Sequence, residues 1–192
     1  MIGTFLIPII LSAACCNDSV VDVPSQYYGG RFLAVKTNVV PWSAGIVNLE
    51  GEIQVWKNFT VSVPVWWSPY FISNKFALRT LFVQPEVRYW LRTPGGGHFF
   101  GIHAGVAWYN LRLNDSRYQD IGRPLLDGGI SYGYSLRLNK HLNAEFTIGA
   151  GYVNTEYDRY YNIANGAKID RRQTSYWGID RVGVSLVYHF DI

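Results

Sequence analysis

From residue 31 onward, apolar and polar positions alternate with a period of two, the mark of strands with two unlike faces. Phe100, Ile102, Ala104, Val106 and Trp108 share one face of their stretch, and Gly101, His103, Gly105 and Ala107 take the other. Leu142, Ala144, Phe146, Ile148, Ala150 and Tyr152 alternate in the same way with Asn143, Glu145, Thr147, Gly149 and Gly151. The pattern predicts eight strands, over 31–40, 45–56, 59–67, 81–91, 99–110, 128–138, 142–155 and 176–190. Each is close to the about 9–11 residues that a tilted strand needs to cross a bilayer.

The connections are unequal. Pro41-Trp42-Ser43, Lys57-Asn58, Thr93 to Gly97 and Asn139-Lys140-His141 are short, whereas 68–80, 111–127 and 158–175 are long and charged. Short turns at one end and long loops at the other predict an all-β, eight-stranded antiparallel up-and-down transmembrane β-barrel over 31–192. An even strand count puts both ends of the barrel on the short-turn, periplasmic side. Pro64 and Pro85 fall inside expected strands, where a closed barrel has no free edge to hide a missing N–H. Bulges, or strand ends closer to those prolines, are expected there.

Composition then decides which face meets which medium. Charged residues make up only 16% of the chain, equal to the aromatic share, and no run of 18 apolar residues exists. A helical span is therefore excluded. A soluble, lipocalin-like binding barrel would carry Lys and Glu on its outer face, yet the polar face here is rich in Gly, Ser, Thr and Ala. Small residues suit a crowded lumen, so the apolar face is expected to meet outer-membrane lipid and lipopolysaccharide. Aromatics gather near strand ends, as interfacial girdles do. A net charge of +3 with no basic run excludes nucleic acid as a partner.

Ile2 to Leu11, followed by Ser12-Ala13-Ala14-Cys15-Cys16, reads as an export signal over 1–16. Cys15 after Ala13-Ala14 suits either lipoprotein-type acylation or simple cleavage nearby. Residues 17–30 read as a flexible leader. Together they predict a bacterial outer-membrane location.

Arg181, Gly183, Leu186, Tyr188 and Phe190 fit the β-signal of outer-membrane proteins, with Asp191 and Ile192 as an added departure. That resemblance implies the outer-membrane assembly machinery as a partner. A wider resemblance is carried by Leu33 to Asn38, Glu86 to Trp90, Tyr132 to Leu136 and Leu142 to Tyr152. These segments resemble a family of small outer-membrane barrels of Bacteroidota, the DUF3575-type domain, with an OmpA-like architecture. The resemblance implies fold and location and supplies no activity. Some relatives sit beside fimbrial components.

The alternation sends Lys36, Glu50, Glu52, Glu86, Arg88, Arg92, His103, Arg137 and Glu145 into the lumen. They can form a polar conduit or a salt-bridge plug, and a barrel of eight strands is narrow enough for side chains to fill. The plug is the expected state, with a narrow pore as the alternative. His98, His103, His141 and His189 offer no paired Ser or metal spacing, so no catalytic residue, cofactor or metal site is expected. A lipid-A-modifying enzyme is the enzymatic alternative. The long loops carry Arg112, Arg117, Tyr118, Arg123, Tyr160, Tyr161, Arg171 and Arg172, a mixture suited to protein or glycan contacts. A structural, adhesive or surface-interaction role follows, with a fimbrial, surface-protein or glycan partner.

Overall fold

The computed structural model describes residues 31–69, 71–73, 76–113, 116–120, 123–161 and 168–190. The expected signal segment with Cys15, the leader and the last two residues lie outside these. Among the described residues eleven strands form: β1 (Leu33–Asn38), β2 (Val47–Trp56), β3 (Phe59–Ser68), β4 (Phe71–Ser73), β5 (Phe76–Val83) and β6 (Glu86–Trp90) come first. β7 (Gly97–Leu113), β8 (Ser116–Asp120), β9 (Leu125–Arg137), β10 (Leu142–Tyr161) and β11 (Lys168–Phe190) follow. One helical turn, α1 (Val39–Trp42), separates β1 from β2.

All pairings are antiparallel, and they return to their start. β1 pairs β2 and β2 pairs β3. β5 and β6 both lie between β3 and β7. β8 and β9 both lie between β7 and β10. β10 pairs β11, and β11 pairs β1 from Leu33↔Phe190 to Asn38↔Ser185. The result is one ring-like sheet.

The ring differs from expectation in its strand number. The stretch expected at 81–91 is broken into β5 and β6 at Gln84-Pro85, and the two prolines explain the break. Gln84 N–H donates to the Pro64 carbonyl at 3.3 Å, but Pro64 has no N–H to return the bond. On the other side Ala104 N–H donates to the Pro85 carbonyl at 3.1 Å, again without a reciprocal donor. Register is kept across the gap, from Ser62↔Glu86 to Val65↔Val83, so the ladder is interrupted without a bulge.

Much of the expected loop sequence is also strand. β5 starts at Phe76, β7 runs to Leu113, β10 runs to Tyr161 and β11 starts at Lys168. Charged residues do not prevent this, because they pair across strands: Asp158 stands opposite Arg171, and Arg159 opposite Asp170. Opposite charges directly across a ladder stabilise it.

Neighbouring residues take opposite faces of the ring. Ile102 and Ile130 are 71% and 67% exposed, while His103 and Ser131 beside them are 3% and 4% exposed. The outer positions of β7 from Phe100 to Trp108, of β9 from Leu126 to Leu136 and of β10 from Leu142 to Tyr152 hold no formal charge. One irregularity matters for the interior. Gly149 pairs Arg181 but Ala150 pairs Ile179, so Asp180 is the extra residue of a bulge in β11.

Candidate functional site

The ring interior is a stack of three layers. The lowest is apolar. Phe32, Trp90 and Phe99 are essentially fully buried, with the Trp90 ring 4.7 Å from Phe99 and 6.4 Å from Phe32. The turn after Trp90 folds beneath them: Gly95, at φ +81°, offers its carbonyl to Ser135 Oγ at 3.1 Å. A Cβ at Gly95 would overlap the Phe32 ring and sit 3.0 Å from the His189 ring. The short end of the ring is closed by side chains and its own turn.

Above it lies a charge network built by β1, β2, β6, β10 and β11. Arg88, with no exposed surface, reaches Glu50 at 2.9 Å, Glu52 at 3.0 Å and Glu145 at 3.1 Å, and also pairs with Glu86. Lys36 meets Glu145 at 2.6 Å and Glu50 at 3.7 Å, and it pairs closely with Glu52. Arg181 approaches Glu86 at 3.3 Å and Glu50 at 3.6 Å. Hydroxyls complete the set: Thr60 donates to Glu52 and Ser131 to Glu86. Trp90 Nε1 donates to Thr60 at 2.9 Å, tying the apolar layer to the charged one. Arg88 also lies over the Phe99 ring at 4.7 Å. Buried charges persist only when paired in this way.

The upper layer is a cavity of about 480 Å³ walled by Trp66, Leu78, Phe82, Tyr109, Leu125 and Val153. Asp127, Asp180 and Arg181 also line it. His103 lies beside them, with Nε2 at 2.9 Å from Asp180 Oδ2. Gln84 donates its amide to Asp127.

Of the residues expected in the lumen, Lys36, Glu50, Glu52, Glu86, Arg88, His103 and Glu145 are buried together there. Arg92 and Arg137 are not: both are exposed, a correction to the expectation. The alternation rule fails for them because each lies at or beyond the end of its strand, outside the apolar layer that closes the ring. Arg181 was expected only as part of the β-signal, and it joins the network. Gly183, Leu186, Tyr188 and Phe190 lie on β11, the strand that closes against β1, and the last three face outward. Asp127, Asp180 and Gln84 were missed. For Asp180 a signal exists: Trp177 and Ile179 are outward at odd positions, but Val182, Val184 and Leu186 are outward at even ones. That change of phase is the bulge.

The residues expected in loops sit mainly on strands that run beyond the uncharged outer band. Arg112, next to the last residue of β7, stands opposite Arg117 on β8, and Tyr118 stands opposite Leu111. Tyr160 and Tyr161 end β10, while Arg171 and Arg172 begin β11. Arg171 meets Asp158 at 3.3 Å, and Arg172 meets Asp170 at 2.8 Å. Arg123 lies 4.0 Å from Glu156.

A family model described as "Protein of unknown function (DUF3575)" matches residues 13–190. No curated protein matches the chain, and no solved structure matches it.

Proposed function

The chain belongs to the DUF3575 family, and we propose that it is an eight-walled outer-membrane β-barrel with a plugged lumen that acts through its outer extension. Counting β5 with β6 and β8 with β9 as single walls, and setting aside the short β4, which pairs only with β5, gives the eight. The observation that carries this reading is the inversion of polarity. Large apolar side chains such as Ile102, Ile130, Phe146 and Ile148 are exposed around the ring, while Lys36, Glu52, Glu86 and Arg88 are buried inside it. In water this arrangement would cost stability on both faces; in a bilayer it is the stable one. Among the described residues no helix is long and apolar enough to cross a membrane; in this reading the strands cross it.

Size supports the same reading. The outward run from Leu142 to Tyr152 rises about 33 Å along the strand. Tilted by about 40° it spans about 25 Å, the height of an outer-membrane apolar band. β10 and β11 continue past this band as a paired hairpin carrying Tyr157, Tyr160, Tyr161, Arg171 and Arg172. Aromatic and arginine side chains on a projecting strand pair suit contact with a protein or glycan partner at the cell surface. The plug and the apolar floor support a structural or surface-interaction role over a conduit, and no catalytic step is assigned.

Cell fractionation tests the reading. The protein should separate with the outer membrane and migrate faster on gels before heating than after. Purified protein in planar bilayers should give no discrete conductance steps. Release as a soluble periplasmic species would overturn the barrel reading, and regular single-channel steps would overturn the plug.

A further inference from the structure

A bulge places two consecutive side chains on one face of a strand, so Asp180 and Arg181 both enter the ring. Asp180 is thereby carried to His103 on β7 and Asp127 on β9, and one nitrogen or oxygen of each lies within 4.8 Å of the others. We propose that His103, Asp127 and Asp180 bind a divalent first-row transition cation, zinc being the ion to test first. The site rests on the ring interior and holds whether or not the ring sits in a bilayer.

Unsatisfied donor atoms support it. The Asp180 side chain is 2% exposed, and its Oδ1 has no hydrogen-bond partner. Asp127 Oδ1 and His103 Nδ1 also lack partners, although both residues are buried. Buried polar atoms are nearly always paired, so three orphans in one cluster call for a ligand.

The backbone around the acids is the second support. A Cβ at Gly129 would come within 2.7 Å of Asp180 Oδ2, and one at Gly149 within 3.1 Å of Oδ1 and 3.2 Å of His103 Cε1. Side chains at Gly151 and Gly105 would overlap the Asp180 and Asp127 carboxylates. The walls are thinned to glycine around the acids.

Charge is the third. Lys36, Arg88 and Arg181 direct their cationic heads at Glu50, Glu52, Glu86 and Glu145. Asp180 has His103 as its basic partner at hydrogen-bond distance, and Asp127 has the neutral Gln84 amide. A divalent cation supplies the missing positive charge.

The donor set narrows the metal. An imidazole nitrogen argues against calcium and magnesium, and the carboxylates argue against copper(I). In a tetrahedral zinc site donor atoms stand about 3.3 Å apart; His103 Nε2 and Asp180 Oδ2 are already 2.9 Å apart, so a rotation of the Asp127 side chain completes the set. Three protein ligands leave a fourth position, and the cavity lined by Asp127 and Asp180 leads to it.

The test uses the full chain, refolded in detergent and stripped with chelator. Titration calorimetry with Zn²⁺ should show one equivalent bound, and Co²⁺ should give visible absorption bands from an ordered site. Asp180→Asn and His103→Gln should each weaken Zn²⁺ binding at least about tenfold, while the outward His98→Gln leaves it unchanged. Deleting Asp180 is the second variant, because it removes the bulge while leaving Ile179 outward and Arg181 inward. It should fold, shown by unchanged strand circular dichroism, and bind no Zn²⁺. Absence of stoichiometric binding by the parent protein overturns the proposal. So does binding that survives in folded Asp180-deleted protein, or binding that is lost in His98→Gln.

Discussion

Replacing Arg88 with methionine tests whether the charge network holds the ring together. Arg88 touches all four network glutamates, and methionine keeps an unbranched apolar stem of similar reach. Four charge-assisted contacts at about 1.5–3 kcal/mol each would give a larger sum than is realistic. Lys36 stays with Glu50, Glu52 and Glu145, and Arg181 stays 3.3 Å from Glu86, so part of the loss is recovered. Removing one partner of a buried ion pair costs about 3–5 kcal/mol, and that is the expected loss here. The assay is urea unfolding in lipid vesicles, followed by fluorescence of the seven tryptophans. A charge argument also predicts the second step: Glu145→Gln added to Arg88→Met should regain stability, because it removes a carboxylate that no longer has enough cations. A loss below about 1 kcal/mol for Arg88→Met, against a typical total of about 5–15, would refute the network's role. So would a double variant less stable than the single one.

Three shorter tests address the outer face, the packing and the extension. Ile130→Arg, at a 67% exposed position, should cost about 2–4 kcal/mol if it faces the middle of a bilayer; a neutral effect on unfolding would count against a lipid-facing surface. Gly133→Ala should destabilise by about 1–3 kcal/mol, because its Cβ would come within 2.7 Å of the Phe146 carbonyl, whereas Gly51→Ala meets nothing within 4 Å and should change little. Residues 157–172 can be replaced by Asn-Gly, a two-residue hairpin turn, since Glu156 stands directly opposite Gln173. The shortened protein should still reach the outer membrane but lose co-purifying surface partners, and unchanged partners would exclude the hairpin as the contact surface.

The ring was legible because its two faces have opposite chemistry at every second residue. Lys36, Glu52, Arg88 and Glu145 could be assigned inward from parity alone, and their meeting follows from the ring's small diameter. Parity says nothing about where a wall stops, which is why Arg92 and Arg137 were misplaced. It is also blind to charged strands: the Asp158–Arg171 and Arg159–Asp170 pairs look like loop composition until the register sets them opposite each other. Gln84 and Asp127 were hidden for a third reason. Asp127 lies one residue before the strand expected at 128–138, and Gln84, inside the strand expected at 81–91 and on its inward parity, carries no charge to mark it beside Pro85.

The bulge raises a question that folding alone does not answer. Regular alternation in β11 would need only Arg181 inward, with Ile179 and Val182 on the outer face, and removing Asp180 would leave that alternation intact. An extra residue in a closed ladder leaves one backbone unit unpaired and distorts the local twist. Here it also brings a carboxylate into an interior that already holds more acids than permanent cations. Ring closure is served by longer-range contacts: Lys36 and Glu145 are 109 residues apart, and Arg88 and Glu145 are 57 apart. Those pairs cross the lumen and fix its diameter, whereas hydrogen-bonded ladders fix only which walls are neighbours. Asp180 shares in that bracing through one contact, to His103 on β7, 77 residues away. That one contact leaves Asp180 Oδ1 and the neighbouring Asp127 Oδ1 without partners, and these are explained by what the cluster binds. The glycines thinned around it point to the same conclusion: the upper interior is shaped around a ligand, and the lower interior is shaped around closure.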